Sequence, residues 1–186
     1  MNTSRRSLLF GGLLDGLREA RRNAGAPSAG PLRPPGAAPL AEYIELCRDC
    51  TSCVTACEPG IIKLHRAPDN PGHPLWDKAV VDVSQRSCQL CADFPCIAAC
   101  PSGALSADRS PAIGTARVTD SCLTRQHMYC ELCRDSCPGD VDALRFGALG
   151  RLEIDEAACV GCGECVLRCP LSPAGLRVVV RHAANR

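Results

Sequence analysis

The chain has 186 residues, a formal net charge of +1 at pH 7 and only 3% aromatic residues. A charge so near zero argues against nucleic acid or an acidic membrane as partner, and no stretch approaches the roughly 20 apolar residues of a membrane span. With a single tryptophan, Trp76, a hydrophobic core lacks its usual aromatic payload.

Residues 1–22 are basic, with Arg5, Arg6, Arg18, Arg21 and Arg22 against Asp15 and Glu19, and Leu9, Leu13, Leu17 and Ala20 recur at helical spacing. They read as an amphipathic segment that docks either a partner or its own chain. Residues 23–40 hold five prolines and three glycines and read as an extended linker, so ordered structure is expected from about Ala41.

Beyond the linker come sixteen cysteines in four groups of four. Group one (Cys47, Cys50, Cys53, Cys57) and group four (Cys159, Cys162, Cys165, Cys169) have the spacing C-x2-C-x2-C-x3-C. Group two (Cys88, Cys91, Cys96, Cys100) is C-x2-C-x4-C-x3-C, and group three (Cys122, Cys130, Cys133, Cys137) is C-x7-C-x2-C-x3-C. The first spacing is the one by which bacterial ferredoxins hold 4Fe-4S clusters, three thiolates on one cubane and the fourth on its neighbour. Longer loops cost little closure entropy, so groups two and three keep four ligands each. All sixteen cysteines are therefore expected as metal ligands of four 4Fe-4S clusters. Pro101, Pro138 and Pro170 directly follow the fourth cysteines of groups two to four, where proline suits the first turn of a helix.

Two other uses of these cysteines fit less well. A disulfide framework spreads its cysteines to tie distant segments together, whereas here they cluster a few residues apart. A four-thiolate zinc site takes two ligands from each of two knuckles and leaves no place for a third cysteine three residues on.

Short strands flank the groups: residues 79–83 before group two, 117–119 before group three, and a hairpin of 143–146 with 151–154 across GALG before group four. An acid recurs ahead of three cluster loops, in VDVSQRSC, VTDSC and EIDEAAC. The recurrence describes one strand, loop and helix unit used four times, two units to a ferredoxin domain. The expected fold class is α+β, two ferredoxin-like dicluster domains over residues 41–180 with a tail at 181–186. Cluster ligation would supply the folding free energy that so small a core cannot, leaving the apo chain largely unfolded.

The segments CRDCTSCVTACEPGI, CQLCADFPCIAACPSGAL, CLTRQHMYCELCRDSCP with DALRF, and CVGCGECVLRCP resemble a known family. It is that of the ferredoxin-type accessory proteins of the bacterial periplasmic nitrate reductase system, NapF and NapG, with the similar MauM-type methylamine-utilisation polyferredoxins. LRPPGA at residues 32–37 and the opening SRRSLL are similar too, and the resemblance covers about residues 30–180. It implies electron transfer or maturation with the catalytic nitrate reductase subunit as client. Exported members of that family carry a twin-arginine signal and a long apolar stretch, while cytoplasmic members have only a short SRR start. Here the apolar stretch at 8–14 contains Gly11 and Gly12 and is cut off by Asp15. A cytoplasmic location is expected, with export to the periplasm through a twin-arginine signal at residues 4–14 as the alternative. The x4 spacing of group two looks more like that of exported members.

Related four-cluster electron-transfer subunits of molybdenum oxidoreductases nest their groups. Carried over, that resemblance joins Cys47, Cys50 and Cys53 to Cys169, and Cys159, Cys162 and Cys165 to Cys57. It joins Cys88, Cys91 and Cys96 to Cys137, and Cys122, Cys130 and Cys133 to Cys100. Sequential pairing, group one with two and three with four, is the alternative.

No motif suggests an enzyme: there is no dinucleotide fingerprint, phosphate loop or radical-enzyme cysteine spacing. Among His65, His73, His127 and His182, only His127 lies in a cluster loop, where it could tune a potential by hydrogen bonding. Two functions follow. One is a one-electron carrier, for nitrate reductase or as a periplasmic wire subunit of another quinol-linked system. The other is a maturation or assembly protein whose clusters act on a client enzyme before export or are mainly structural.

Overall fold

Every cysteine group closes on a single helical turn. After a first helix α1 (Leu40–Leu46), these turns are α2 (Ser52–Thr55), α3 (Pro95–Ala98), α4 (Leu132–Asp135) and α5 (Glu164–Leu167). In each, the third cysteine of its group is the second residue of the turn and is buried, and the fourth lies two residues after the last helical position. The common x3 spacing is thus one helical turn between two ligands. The expectation that Cys-Pro opens a helix is corrected: the turn precedes the fourth cysteine, and the chain after Pro101, Pro138 and Pro170 runs into turns and bends. Proline cannot continue a helix and marks where each one stops.

The computed structural model describes residues 30–181, so the amphipathic segment, residues 23–29 of the linker and His182 lie outside the described residues. Six short strands form three antiparallel pairs. β1 (Ile62–Leu64) pairs with β2 (Ala79–Val81), setting Ile62 opposite Val81. β4 (Leu144–Phe146) pairs with β5 (Leu152–Ile154), Leu144 opposite Ile154, as the expected hairpin. β3 (Thr115–Val118) pairs with β6 (Leu176–Val179), Thr115 opposite Val179, and so brackets the second half of the molecule.

The first half is bracketed by less regular chain. Leu32 bridges to Val81 and Ala37 to Leu105. The amide of Ala38 donates to the carbonyl of Ala104 at 2.9 Å, and that of Ser106 to Gly36 at 2.9 Å. Pro34 and Pro35 are fully buried. Gly36 has φ +69° and a Cβ there would stand 2.4 Å from the Ser106 carbonyl oxygen, so only glycine fits. Residues 30–40 are therefore packed structure rather than an extended linker: proline lacks an amide proton, but its ring and carbonyl remain available for burial and bonding.

Two apolar cores back the cysteines. One gathers Tyr43, Ile61, Leu75 and Val81 around Cys53 and Cys96. The other gathers Ala116, Leu144, Leu152 and Leu176 around Cys133, Cys159 and Cys165. Tyr43 is the largest fully buried side chain, and its hydroxyl donates to the Ala79 carbonyl at 2.6 Å, tying α1 to β2.

Candidate metal centres

The cysteines gather into four sets of four, each with three from one group and the fourth from the group paired with it. In the first half α2 packs on α3, and in the second α4 packs on α5. Site B is a cavity lined by Cys57, Cys88, Cys91 and Cys96. Site C is lined by Cys137, Cys159, Cys162 and Cys165. Site D is lined by Cys122, Cys130, Cys133 and Cys169. Site A comprises Cys53 with Cys47, Cys50 and Cys100, the three thiolates that act on it. The nested pairing is thereby corrected to the sequential one. Each half folds its two groups together, so Cys57 and Cys100 exchange between groups one and two, and Cys137 and Cys169 between three and four.

The chemistry of these linings suits a cubane: apart from the thiols the walls are mainly apolar, such as Pro35, Ile61 and Ile62 at site B and Leu123, Leu152 and Leu176 at site D. Among the described residues no three histidine, cysteine or acidic side chains converge to hold a single ion. Thiols held apart around an open volume match the corners of a cluster, whereas tetrahedral zinc draws its ligands onto one point. All sixteen cysteines are unbridged.

Burial dominates the thiol electrostatics. It pushes Cys53 up to about 12, helped by the thiolates of Cys47, Cys100 and Cys50. Burial likewise raises Cys88 and Cys133 to about 11, and it raises Cys96, Cys162 and Cys165. Neutral thiols are what an apolar cavity favours, so cluster binding must displace protons. Cys50, near the surface, is lowered instead by the Ser52 hydroxyl 3.3 Å away.

Backbone amides supply the donors around the sulfurs. Those of Ser52 and Leu105 donate to Cys50 Sγ and Cys100 Sγ, each at 3.4 Å. The Ala116 amide donates to Cys159 Sγ at 3.3 Å and the Gly175 amide to Cys169 Sγ at 3.1 Å. Such bonds stabilise thiolate and raise cluster potential. Sequence reading missed them because a backbone donor has no side-chain signature. Gly175 left one trace, since a Cβ there would stand 2.8 Å from Cys122 Cα. The x7 insertion of group three is held by buried Thr124, whose hydroxyl lies 3.4 Å from Cys122 Sγ and accepts from the Leu152 amide at 3.2 Å. His127 caps the short 3-10 turn Leu123–Gln126 with φ 61°, is exposed, and makes no hydrogen bond to a cysteine among the described residues. His65 and His73 stack edge to face, centroids 4.9 Å apart, in the loop between β1 and β2.

Residues 46–104 match the model of the 4Fe-4S dicluster domain, and residues 152–171 that of the 4Fe-4S binding domain. The chain is 34% identical over 178 residues to the methylamine utilization ferredoxin-type protein MauM of Paracoccus denitrificans, covering 86% of this chain and 76% of that protein. It is 31% identical over 166 residues to the ferredoxin-type protein NapG of Escherichia coli, covering 80% of this chain and 70% of NapG. With NapF of Escherichia coli it shares 27% over 144 residues, 76% of this chain and 81% of NapF. No solved structure matches.

Proposed function

We propose, for a chain that belongs to the family of ferredoxin-type proteins including MauM and NapG, that it binds four 4Fe-4S clusters and carries single electrons to or from an oxidoreductase. The sixteen cysteines are their ligands, in the four sets given above. One observation carries the reading: the swap of Cys57 with Cys100, and of Cys137 with Cys169, between paired groups. That exchange is how two cubanes share one ferredoxin domain. The clusters supply reversible one-electron chemistry. The chain's own residues hold them apart from water in apolar walls and aim amides at their thiolates. No catalytic site is assigned.

The proposed client is the catalytic subunit of a periplasmic nitrate reductase, served by electron transfer or by cluster-dependent maturation. A second reading, a role in methylamine utilisation, is favoured by the higher identity to the MauM relatives. Loaded protein should contain about sixteen irons per chain, four per cubane. It should also reduce, or be captured by, one of the two client systems when both are offered. About eight irons, or neither client engaged, would overturn the assignment.

The proposed compartment is the cytoplasm, on the short, glycine-interrupted apolar stretch after SRRSLL. N-terminal sequencing of protein from fractionated cells decides it: a start at residue 1 or 2 supports it, and a periplasmic form starting near residue 27 would replace it.

A further inference from the structure

Buried polar side chains are few: among the described residues only Thr115 and Thr124 fall in that class. Thr115 accepts from Arg181 Nε at 3.2 Å. Thr124, 3% exposed, sits in the insertion that lengthens group three, two residues after Cys122. The insertion folds as the 3-10 turn Leu123–Gln126, and the Cys122 carbonyl accepts from the Arg125 amide at 3.0 Å and the Gln126 amide at 3.3 Å. This turn leaves Arg125 to Tyr129 exposed and sends Thr124 inward, where it lines site D with Cys130, Cys133 and Cys169.

A hydroxyl can accept and has one proton to donate. Thr124 Oγ1 accepts from the Leu152 amide at 3.2 Å and lies 3.4 Å from Cys122 Sγ, itself buried. With Leu152 engaging the acceptor side, the proton is left for the sulfur. A sulfur that binds iron is a thiolate with no proton of its own, so in the loaded site the hydroxyl is the donor. A buried hydroxyl without a partner is costly, and a bond to an anionic acceptor is stronger than one between neutral groups. Hydroxyls also approach Cys50 and Cys100, from Ser52 at 3.3 Å and Ser102 at 3.7 Å, but neither serine is buried and water can take its place. The burial of Thr124 admits no such replacement. Leu152 opens β5, so the hairpin ahead of group four fixes a donor onto a cysteine of group three.

We infer that Thr124 is a positioning residue of site D: anchored by the Leu152 amide, its hydroxyl donates to Cys122 Sγ and raises the reduction potential of that site. The inference rests on the four-cluster reading and adds to it a residue that is not a cysteine. A donated proton stabilises negative charge on the sulfur. That charge is greater in the reduced cluster, so the bond favours reduction.

The test is a potentiometric titration of the full chain with its clusters, read by paramagnetic resonance, with site D identified as the signal absent from Cys130→Ala. Thr124→Val keeps the shape and removes the hydroxyl. It should move the site D midpoint to lower potential and leave the other three signals where they are. Thr124→Ser restores the donor and should return the midpoint to the wild-type value, which a role of the threonine methyl in packing would not do. Should Thr124→Val not fold, Thr124→Ala removes the hydroxyl without setting a methyl group against the Leu152 amide, and the same downward shift is expected. A site D midpoint unchanged in the hydroxyl-free variant, or lowered equally by Thr124→Ser, would overturn the role given to Thr124. Iron is counted in every sample. About sixteen per chain, four per cubane, with an unmoved midpoint counts against Thr124 alone, whereas about eight in wild type counts against the four-cluster reading.

Discussion

Cys57 and Cys100, the last cysteines of groups one and two, each belong to the site built by the other group. Cys57 lines the cavity of Cys88, Cys91 and Cys96, while the thiolate of Cys100 bears on Cys53. One helical turn separates each from the third cysteine of its own group, so a single turn reaches two centres. Losing either cysteine damages a site that its own group does not build.

That exchange separates sequential from nested pairing. In reduced protein with its clusters, Cys100→Ala should change the same resonance signature as Cys47→Ala, and Cys57→Ala the same one as Cys91→Ala. Cys169→Ala should match Cys130→Ala. A Cys100→Ala spectrum that matches Cys130→Ala would restore the nested arrangement.

Tyr43 holds the first half by one buried hydrogen bond, 2.6 Å to the Ala79 carbonyl. Tyr43→Phe keeps the ring and leaves that carbonyl unpaired, costing about 1–2 kcal/mol. Denaturant unfolding of the loaded protein checks this, and an unchanged midpoint would show that the bond contributes nothing. The hydroxyl also bonds toward the Cys47 thiol of site A, so iron content is measured on the same samples, and a fall in it would assign part of the cost to that site.

Gly103 and Gly161 share the same left-handed backbone, φ 72° and 71°, in different surroundings. A Cβ at Gly103 meets nothing within 4 Å, whereas one at Gly161 meets the Gly114 backbone at 2.6–2.7 Å. Gly103→Ala should therefore cost only the conformational penalty of about 1–2 kcal/mol. Gly161→Ala adds an overpacking cost of about 1–3 kcal/mol. Equal losses for the two in thermal unfolding would mean that the Gly114 backbone yields freely.

Asp82 is held at about 2, below the usual carboxylate range, first by the Ser84 hydroxyl at 2.6 Å and then by the Ser84 amide and Lys63 against the opposing effect of burial. A depressed carboxyl contributes stability that is fully present above its unfolded value near 4 and is lost as pH falls through about 2. The side chain is 38% exposed, so solvent screening reduces the contribution to under about 1 kcal/mol. In denaturant unfolding of the loaded protein the stability gap between wild type and Asp82→Asn should be equal at pH 8 and pH 6, both above the unfolded value. A gap that shrinks from pH 8 to pH 6 would assign the effect to another group.

The ligand set and the hairpin before group four were legible because spacing and alternation are properties of neighbouring residues. β1 and β6 were not, since each is three or four residues long and is defined by a distant partner, β2 and β3. Pairing of the groups was equally hidden: identical x3 turns at Cys53 and Cys165 carry no label saying which neighbour receives Cys57 or Cys169. Residues 32–38 misled for a different reason. Their proline and glycine content describes backbone freedom in the unfolded chain, while their burial depends on Leu105, Val81 and Ser106 elsewhere in the fold.

Pro35 forms part of the wall around Cys57, Cys88, Cys91 and Cys96. A chain begun at residue 41, where the cysteine-rich region opens, would keep every ligand yet leave one cluster facing water on the side that Pro35 covers. Oxidative damage would then start at that opening, so the iron lost first in air would report a missing peptide edge and not a missing ligand.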